Sequence, residues 1–567
     1  MRDRHSLLII PAGALLAVLP IVIRGSSCGH DFEFHLLNWL EVGSQWRQGV
    51  VLPHWEFTAA WNSGEPRFIF YPPLSWAIGV LLGLILPWTA VPATFIWVAF
   101  TGCGFTMYRL AREWTNEANA LVAACFYMVH PYMLFTSLER GAYAELLAAA
   151  WIPLLVLSIL RPRLTIPGIA LPVALLWLTD NPAAVMGCYS LALLATVRIA
   201  WMWGAQKLSV NALKDAATVT IGTCLGLGLS GFFLLPAIVE RRWVRITMAF
   251  FPGTRYQDNF LFGRSGSISH IAILNTASLC SVTLLISIAV FAWIAFPGRD
   301  AKTENRSLQS RSFVIIALLI LASALAFLLT ATSALLWRVI PELKYLQFPW
   351  RFDAVLGVVA AALFALALDR IRLRSSGAIT AALAIPLIFG LFGYHLFRQF
   401  CGAANDVPGM IAAFKDGKTH DATDEYTPTS SDPLAVGHNN PTAWMASGPT
   451  DPPFQVGAGS HSTNLRDRLH FSILSPGPAF FVINLRDYPA WRITVNGILS
   501  TNRPHREDGL IVLPVPGGRS EINITYAFLS DEVYGWILTA LSLGAFFVVW
   551  RENRPWSRRR NPSRHAP

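Results

Sequence analysis

Apolar residues in this chain come in long unbroken runs, not in the alternating or three-to-four spacing of a soluble fold. Runs of roughly 17–22 residues recur, each long enough to cross about 30 Å of hydrocarbon as a helix. Such a run must be helical, because lipid offers the backbone no hydrogen-bond partners. The clear spans are 7–23, 91–108, 119–136, 146–160, 165–178, 184–200, 216–235, 272–296, 312–331, 353–369, 378–397 and 533–550. Residues 72–88 differ: they are apolar but short, open with Pro72-Pro73 and close at Pro87.

Loop charge decides how 72–88 is treated. If it dips into the outer leaflet without crossing, the loops with Arg109/Arg112, Arg161/Arg163, Lys207/Lys214, Arg299/Lys302/Arg306/Arg311 and Arg370/Arg372/Arg374 all fall inside, as does the tail Arg551–Arg564. Counting it as a full span would put those loops outside, against the positive-inside bias. It is therefore read as a re-entrant or juxtamembrane helix, which needs protein or a water-filled cavity beside it. The outer side then carries 24–91, 137–145, 178–182, 236–275, 332–352 and 399–532.

The last outer segment changes character midway. Residues 401–464 are rich in Gly, Pro, Asp, Thr and Ser and are read as an extracytoplasmic linker. From 465 the pattern turns to short strands at 469–474, 479–485, 491–495, 510–515 and 520–528, with turn signals at Asn496-Gly497 and Gly517-Gly518. This predicts a small β-sandwich over 465–532. The expected architecture is a mainly α polytopic protein with about twelve transmembrane helices, eleven of them within 1–400 and the twelfth at 533–550, plus the dipping helix. It ends in a β-sandwich, a last helix at 533–550 and a basic cytoplasmic tail at 551–567.

Composition agrees. Of 567 residues 54% are hydrophobic and only 14% charged, against about 25% charged in a soluble domain; mean hydropathy is +0.45. The net charge of +10 sits in short inter-span loops, which argues against nucleic acid. Of seven Cys, five fall in apolar runs, and no spacing suits zinc. Cys28 and Cys401 lie in outer segments, where two free thiols are preferred over a disulfide. The N-terminal run after Met1-Arg-Asp-Arg-His5 lacks a clean cleavage site and is read as an uncleaved first helix.

Candidate chemistry begins directly after the first span, in Gly29-His30-Asp31-Phe32-Glu33-Phe34-His35. On a helix Asp31 and His35 share a face that Glu33 does not. Carboxylates at this depth can act as a general base or ligate a metal; the plainer account is a loop that starts with polar residues. A stretch able to lie flat on the bilayer follows, then Trp61-Asn62-Ser63-Gly64-Glu65-Pro66-Arg67-Phe68-Ile69-Phe70-Tyr71-Pro72-Pro73-Leu74.

This order, an acidic motif after span one, a surface helix, then Tyr-Pro-Pro-Leu before a dipping helix, resembles the first outer loop of GT-C glycosyltransferases. That superfamily includes oligosaccharyltransferase, protein mannosyltransferases and aminoarabinose transferases. Asp424-Glu425-Tyr426-Thr427-Pro428 and Tyr488-Pro489-Ala490-Trp491 are similar to the C-terminal region of bacterial YfhO-like, or 6-pyruvoyl-tetrahydropterin-synthase-related, membrane proteins. The resemblance implies a modified Asp-x-Asp motif at Asp31-Phe32-Glu33 and a second acid in the next outer loop, where Glu139 and Glu145 flank Arg140. An ion-paired helix end explains those acids equally well. No second Asp-x-Asp is present, which argues against a bound divalent metal, and no other cofactor is expected.

Further along, Arg351 stands among aromatics in Leu346-Gln347-Phe348-Pro349-Trp350-Arg351-Phe352, where a guanidinium can hold a lipid phosphate or anchor the interface. Arg241, in Glu240-Arg241-Arg242-Trp243-Val244-Arg245, breaches the positive-inside rule; anion binding and an ion-pair cluster both explain it. Asp180-Asn181 is read as a helix cap. Tyr488 and Trp491 can stack on sugar rings, although a core Trp is the commoner use.

What the resemblance implies is transfer of a sugar from a polyprenyl-phosphate donor to an extracytoplasmic glycan or protein acceptor, in a bacterial inner membrane with both termini cytoplasmic. Asp31 would be the base, with Glu33 or Glu145 orienting the acceptor. Arg351, with Arg140 or Arg241, would bind the phosphate. The rivals are a non-enzymatic lipid-linked-sugar transporter or envelope assembly factor, and a degenerate transferase fold. The spans are nearly free of charge, which disfavours transport. The threading predicts that reporter fusions at Gly437 respond as extracytoplasmic and at Ser557 as cytoplasmic; both on one side would overturn it.

Overall fold

A computed structural model describes residues 6–205, 210–264, 267–296, 311–370, 375–418, 420–453, 461–465 and 468–552. Every apolar run above falls on helix. Among the described residues eight helices are long and apolar enough to cross a membrane, and two bent pairs raise this to ten. The segments Leu8–Arg24 and Ile166–Thr179 are apolar but shorter.

The bends have local causes. Glu117–Met128 and Pro131–Arg140 meet at 42°. His130 is pushed to an extended backbone (ψ 157) by Pro131, since a residue before proline disfavours the α region. Val210–Leu229 and Gly231–Trp243 meet at 79° around Ser230. The segment expected to dip is a 13-residue helix, Pro73–Ile85, with extended Pro72 before it and extended Leu86, itself followed by Pro87, after it. Thirteen residues rise only about 20 Å.

Asp353–Leu368 lies at the centre, buried along almost its whole length. It packs against Ile268–Ala295, Glu117–Met128, Arg311–Leu328 and Val91–Ala111. The first helix, Ser6–Arg24, packs on Ser375–Phe397 and on Val91–Ala111. The last, Ser530–Glu552, sits on Gly231–Glu240 and Val210–Leu229.

Among the described residues the C-terminal region carries eight strands: β1 Ala443–Ala446, β2 His461–Leu465, β3 Arg468–Ser475, β4 Ala479–Arg486, β5 Trp491–Val495, β6 Ile498–Leu499, β7 Leu510–Val515 and β8 Gly518–Tyr526. They form antiparallel sheets of order β1-β4-β7 and β2-β3-β8-β5-β6. The five sequence-predicted strands correspond to β3, β4, β5, β7 and β8. Asn496 and Gly497 both take positive φ, as a tight hairpin turn requires. The linker read as loop adds β1, most of β2 and a helix, Val407–Lys415. Both sheets feed one apolar core, which also takes in Trp55, Ile69, Phe70 and Val244 from the outer loops of the helical part. The strands are thus docked on the segment that follows the first helix.

The expectation of two free outer thiols is corrected: Cys28 and Cys401 form a disulfide. Chain geometry explains it. Cys28 N–H donates to the Gln399 carbonyl, and Ser27 Oγ bridges by accepting from Gln399 N–H and donating to the Leu138 carbonyl. The thiols meet because the start of the first loop is laid against the end of Ser375–Phe397. Peptide mapping without reductant should recover a Cys28–Cys401 crosslink, and Cys401→Ser should lower the melting temperature of the purified protein, equivalent to about 2–4 kcal/mol. Full alkylation of both thiols in the intact protein would contradict this.

Candidate active site

Asp31 is positioned by two backbone contacts. His30 N–H donates to the Glu139 carbonyl at 3.3 Å and Asp31 N–H to that of Arg140 at 2.6 Å. This approach needs Gly29: a Cβ there would lie 2.5 Å from the Glu139 carbonyl oxygen. The opposing segment, Phe135–Arg140, is a π-helical turn closed by left-handed Gly141 (φ 65). Such turns recur at functional sites. Asp31 sits at the N-cap of Phe32–Arg47, yet its carboxylate makes no capping hydrogen bond and stays 44% exposed.

Arg140 links the two acidic loops. Its Nη1 lies 2.6 Å from Glu145 Oε2 and its Nη2 3.6 Å from Asp31 Oδ2. Behind it, the Trp350 ring lies 4.9 Å from the guanidinium carbon. Glu145, on Tyr143–Ala148, also meets Arg351 Nε at 3.3 Å and accepts from the Tyr132 hydroxyl. Arg351 is held by the Leu346 carbonyl and the Phe348 ring. One turn into its helix, His35 Nε2 accepts from Tyr143 N–H at 3.1 Å. Burial, with Arg140 adding to it, pulls the His35 pKa down to about 4 despite Asp31, so the ring stays neutral as an acceptor.

These groups face a cavity of about 1150 Å³, lined also by Phe34, Tyr71, Asp180, Asn181, Glu425, Tyr426, Arg255, Arg264 and His270. Asp180, in the turn after Ile166–Thr179, does cap the next helix, accepting from Ala183 N–H at 2.9 Å. It lines the cavity as well, a second use that the capping signal hid. Burial raises the Asp180 pKa to about 6 and that of Glu425 to about 7.

Of the sequence candidates, Asp31, Glu145, Arg140 and Arg351 therefore come together. Glu33 is exposed on the other side of its helix, and Glu139 lends its carbonyl to His30 without lining the cavity. Arg241 is exposed beside Glu342 and Tyr345. Tyr488 and Trp491 are 1% and 3% exposed; Tyr488 donates to Glu240 at 2.6 Å and Trp491 packs on Trp55, so core packing accounts for both.

Sequence reasoning missed the support beneath this site. Arg67, 2% exposed, pairs with Glu56 at 2.6 Å and Glu65 at 2.7 Å, and donates to Asn38 and Thr423. It also lies under Phe34, 4.7 Å from that ring's centroid. His420 pairs with Glu56 at 3.1 Å, and Thr423 N–H donates to Glu65. Together they anchor the segment before Glu425 and Tyr426. The only available signal was Glu65-Pro66-Arg67 inside an aromatic stretch.

A divalent metal does not fit the acidic pair, because the Arg140 guanidinium stands between Asp31 and Glu145. Among the described residues no three His, Cys, Asp or Glu side chains gather to hold one.

No protein-family model and no curated protein matches the chain. Among solved structures it is similar to the arabinofuranosyltransferase AftD from Mycobacteria, at 16% identity and a TM-score of 0.41 over 69% of this chain and 28% of that one. It is also similar to the Archaeoglobus fulgidus oligosaccharyltransferase in its apo form, at 14% identity and 0.42 over 75% and 61%. The archaeal oligosaccharyltransferase AglB from Archaeoglobus fulgidus, in complex with an inhibitory peptide and a dolichol-phosphate, gives 16% and 0.36 over 74% and 57%. This chain thus spans between 28% and 61% of the length of those proteins. At such scores the likeness carries no weight beside the geometry of the cavity.

Proposed function

We propose that the protein is an integral membrane glycosyltransferase that moves a sugar from a polyprenyl-phosphate donor to an extracytoplasmic acceptor. One observation carries the reading: an uncapped, solvent-reachable carboxylate, Asp31, faces a large cavity beside two fixed guanidiniums, Arg140 and Arg351. In this reading all twelve apolar runs cross the membrane, Pro73–Ile85 dips without crossing, and the two sheets form a sandwich outside.

The chemistry follows from the arrangement. Asp31 takes the proton of the acceptor hydroxyl, whose oxygen attacks the anomeric carbon from the face opposite the phosphate. The bond from that carbon to the phosphate oxygen breaks, its electron pair leaves on the phosphate, and configuration inverts. Arg351, less buried than Arg140, meets the departing charge. Glu145 is a positioning residue, since Arg140, Arg351 and Tyr132 already occupy its oxygens. Phe34, Tyr71 and Tyr426 provide the aromatic wall on which a sugar can lie.

Asp31→Asn should insert and fold yet lose transfer from a polyprenyl-phosphate sugar by about 10²–10⁴-fold; full activity in the correctly inserted variant would remove Asp31 as the base. The raised carboxyls at Asp180 and Glu425 set a pH dependence. Their folded pKa values lie above the unfolded ones, so each contributes stability below about pH 4 that is lost as pH rises through about 6 and 7. The melting temperature should therefore fall across that window, and Asp180→Asn with Glu425→Gln should flatten the fall. An unchanged slope would show that neither carboxyl is held protonated.

A further inference from the structure

An acidic outer motif of this kind invites a divalent cation, since hard cations take carboxylate oxygens. We propose instead that Arg140 is the resident cation of this site, and that the protein works without a divalent metal. The inference rests on the transferase reading for its second half only.

Three observations carry it. The Arg140 guanidinium already occupies the ground between the carboxylates, 2.6 Å from Glu145 and 3.6 Å from Asp31. It is fixed there: its side chain is 5% exposed, and Trp350 backs it at 4.9 Å. And Glu145 has no oxygen to spare, because Oε1 accepts from the Tyr132 hydroxyl while Oε2 meets both Arg140 and Arg351. A divalent ion at Asp31 would have to sit against the Arg140 guanidinium, with one partly exposed carboxylate to hold it. Like charges in close contact repel, the more so where one of them, as Arg140 is here, is shielded from water.

The arrangement also does what a metal would do for an acid pair. Two carboxylates and two guanidiniums give a neutral cluster, so Asp31, partly exposed and 3.6 Å from Arg140, can still take a proton while positive charge stays next to the leaving phosphate. Arg140 is thereby a fixed electrostatic element, and Arg351 is the guanidinium that receives the phosphate.

The test is Mn²⁺ titration of the purified full-length protein in nanodiscs, followed by electron paramagnetic resonance, alongside transfer assays with EDTA. Expected are no saturable Mn²⁺ site in the wild type, transfer undiminished by EDTA, and a new saturable site in Arg140→Gln that is lost again when Asp31→Asn is added. Arg140→Lys, which keeps the charge, should not gain the site. A wild-type Mn²⁺ site abolished by Asp31→Asn overturns the proposal, as does EDTA-sensitive transfer restored by Mn²⁺ or Mg²⁺. A folded Arg140→Gln protein that gains no site overturns the claim that the guanidinium holds a cation's place. If Arg140→Gln does not fold, the wild-type titration decides alone. Absence of transfer under every condition would count against the transferase reading, while the Mn²⁺ titration still decides the role of Arg140.

Discussion

A guanidinium removed from water is tolerable only when every face of it is answered, and the architecture depends on meeting that demand at Arg140. Its charge is met by Glu145 and Asp31, its flat face by Trp350, and Glu145 in turn by Arg351 and Tyr132. Removing one partner of such a buried pair costs about 3–5 kcal/mol, because the other is left as an uncompensated charge. The outer loops therefore cannot drift independently. Asp31 comes from the first, Arg140 and Glu145 from the second, and Trp350 with Arg351 from the turn before Asp353–Leu368. The ion pairs that support catalysis in our reading are the same ones that tie the loops together.

The rest of the fold keeps these loops in register. Gly29 permits backbone contact between the first two loops, and the Cys28–Cys401 disulfide fastens the first to the end of Ser375–Phe397. The buried Arg67 cluster repeats the logic of Arg140 on a second level, joining Glu56 and Glu65 to His420 and Thr423. That second lock sets Glu425 and Tyr426 at the cavity wall, and Trp55 carries the contact onward into the core of the sheets. The strand region is thus coupled to the cavity through shared packing.

Much of this was legible in the chain because lipid imposes a strong rule. Apolar runs had to be helices, and the double proline at 72–73 together with Pro87 marked the ends of the short helix Pro73–Ile85. The central strands announced themselves through alternation and through Asn496-Gly497. Asp31, Glu145 and Arg140 were singled out through the resemblance to two outer loops, and Arg351 as a guanidinium among aromatics; the cavity brings all four together. What stayed hidden depended on partners distant in sequence. β1 is four residues whose pairing with β4 defines it as a strand, and Thr423 and His420 have meaning only beside Arg67 and Glu56. The disulfide needed the knowledge that Ser27 bridges Leu138 and Gln399. Asp180 shows a further limit: one side chain can serve as cap and cavity wall, and local sequence reveals only the first.

The central claim is that this cavity receives a lipid-linked phosphate beside Asp31. A structure of the full-length protein in nanodiscs with a polyprenyl phosphate tests it most directly. The account predicts the phosphate within hydrogen-bonding reach of Arg351, on the side of the cavity that Asp31 faces, with the hydrocarbon chain leaving toward the bilayer. A phosphate bound elsewhere, with Arg351 still engaged only by Glu145 and the Leu346 carbonyl, would contradict it.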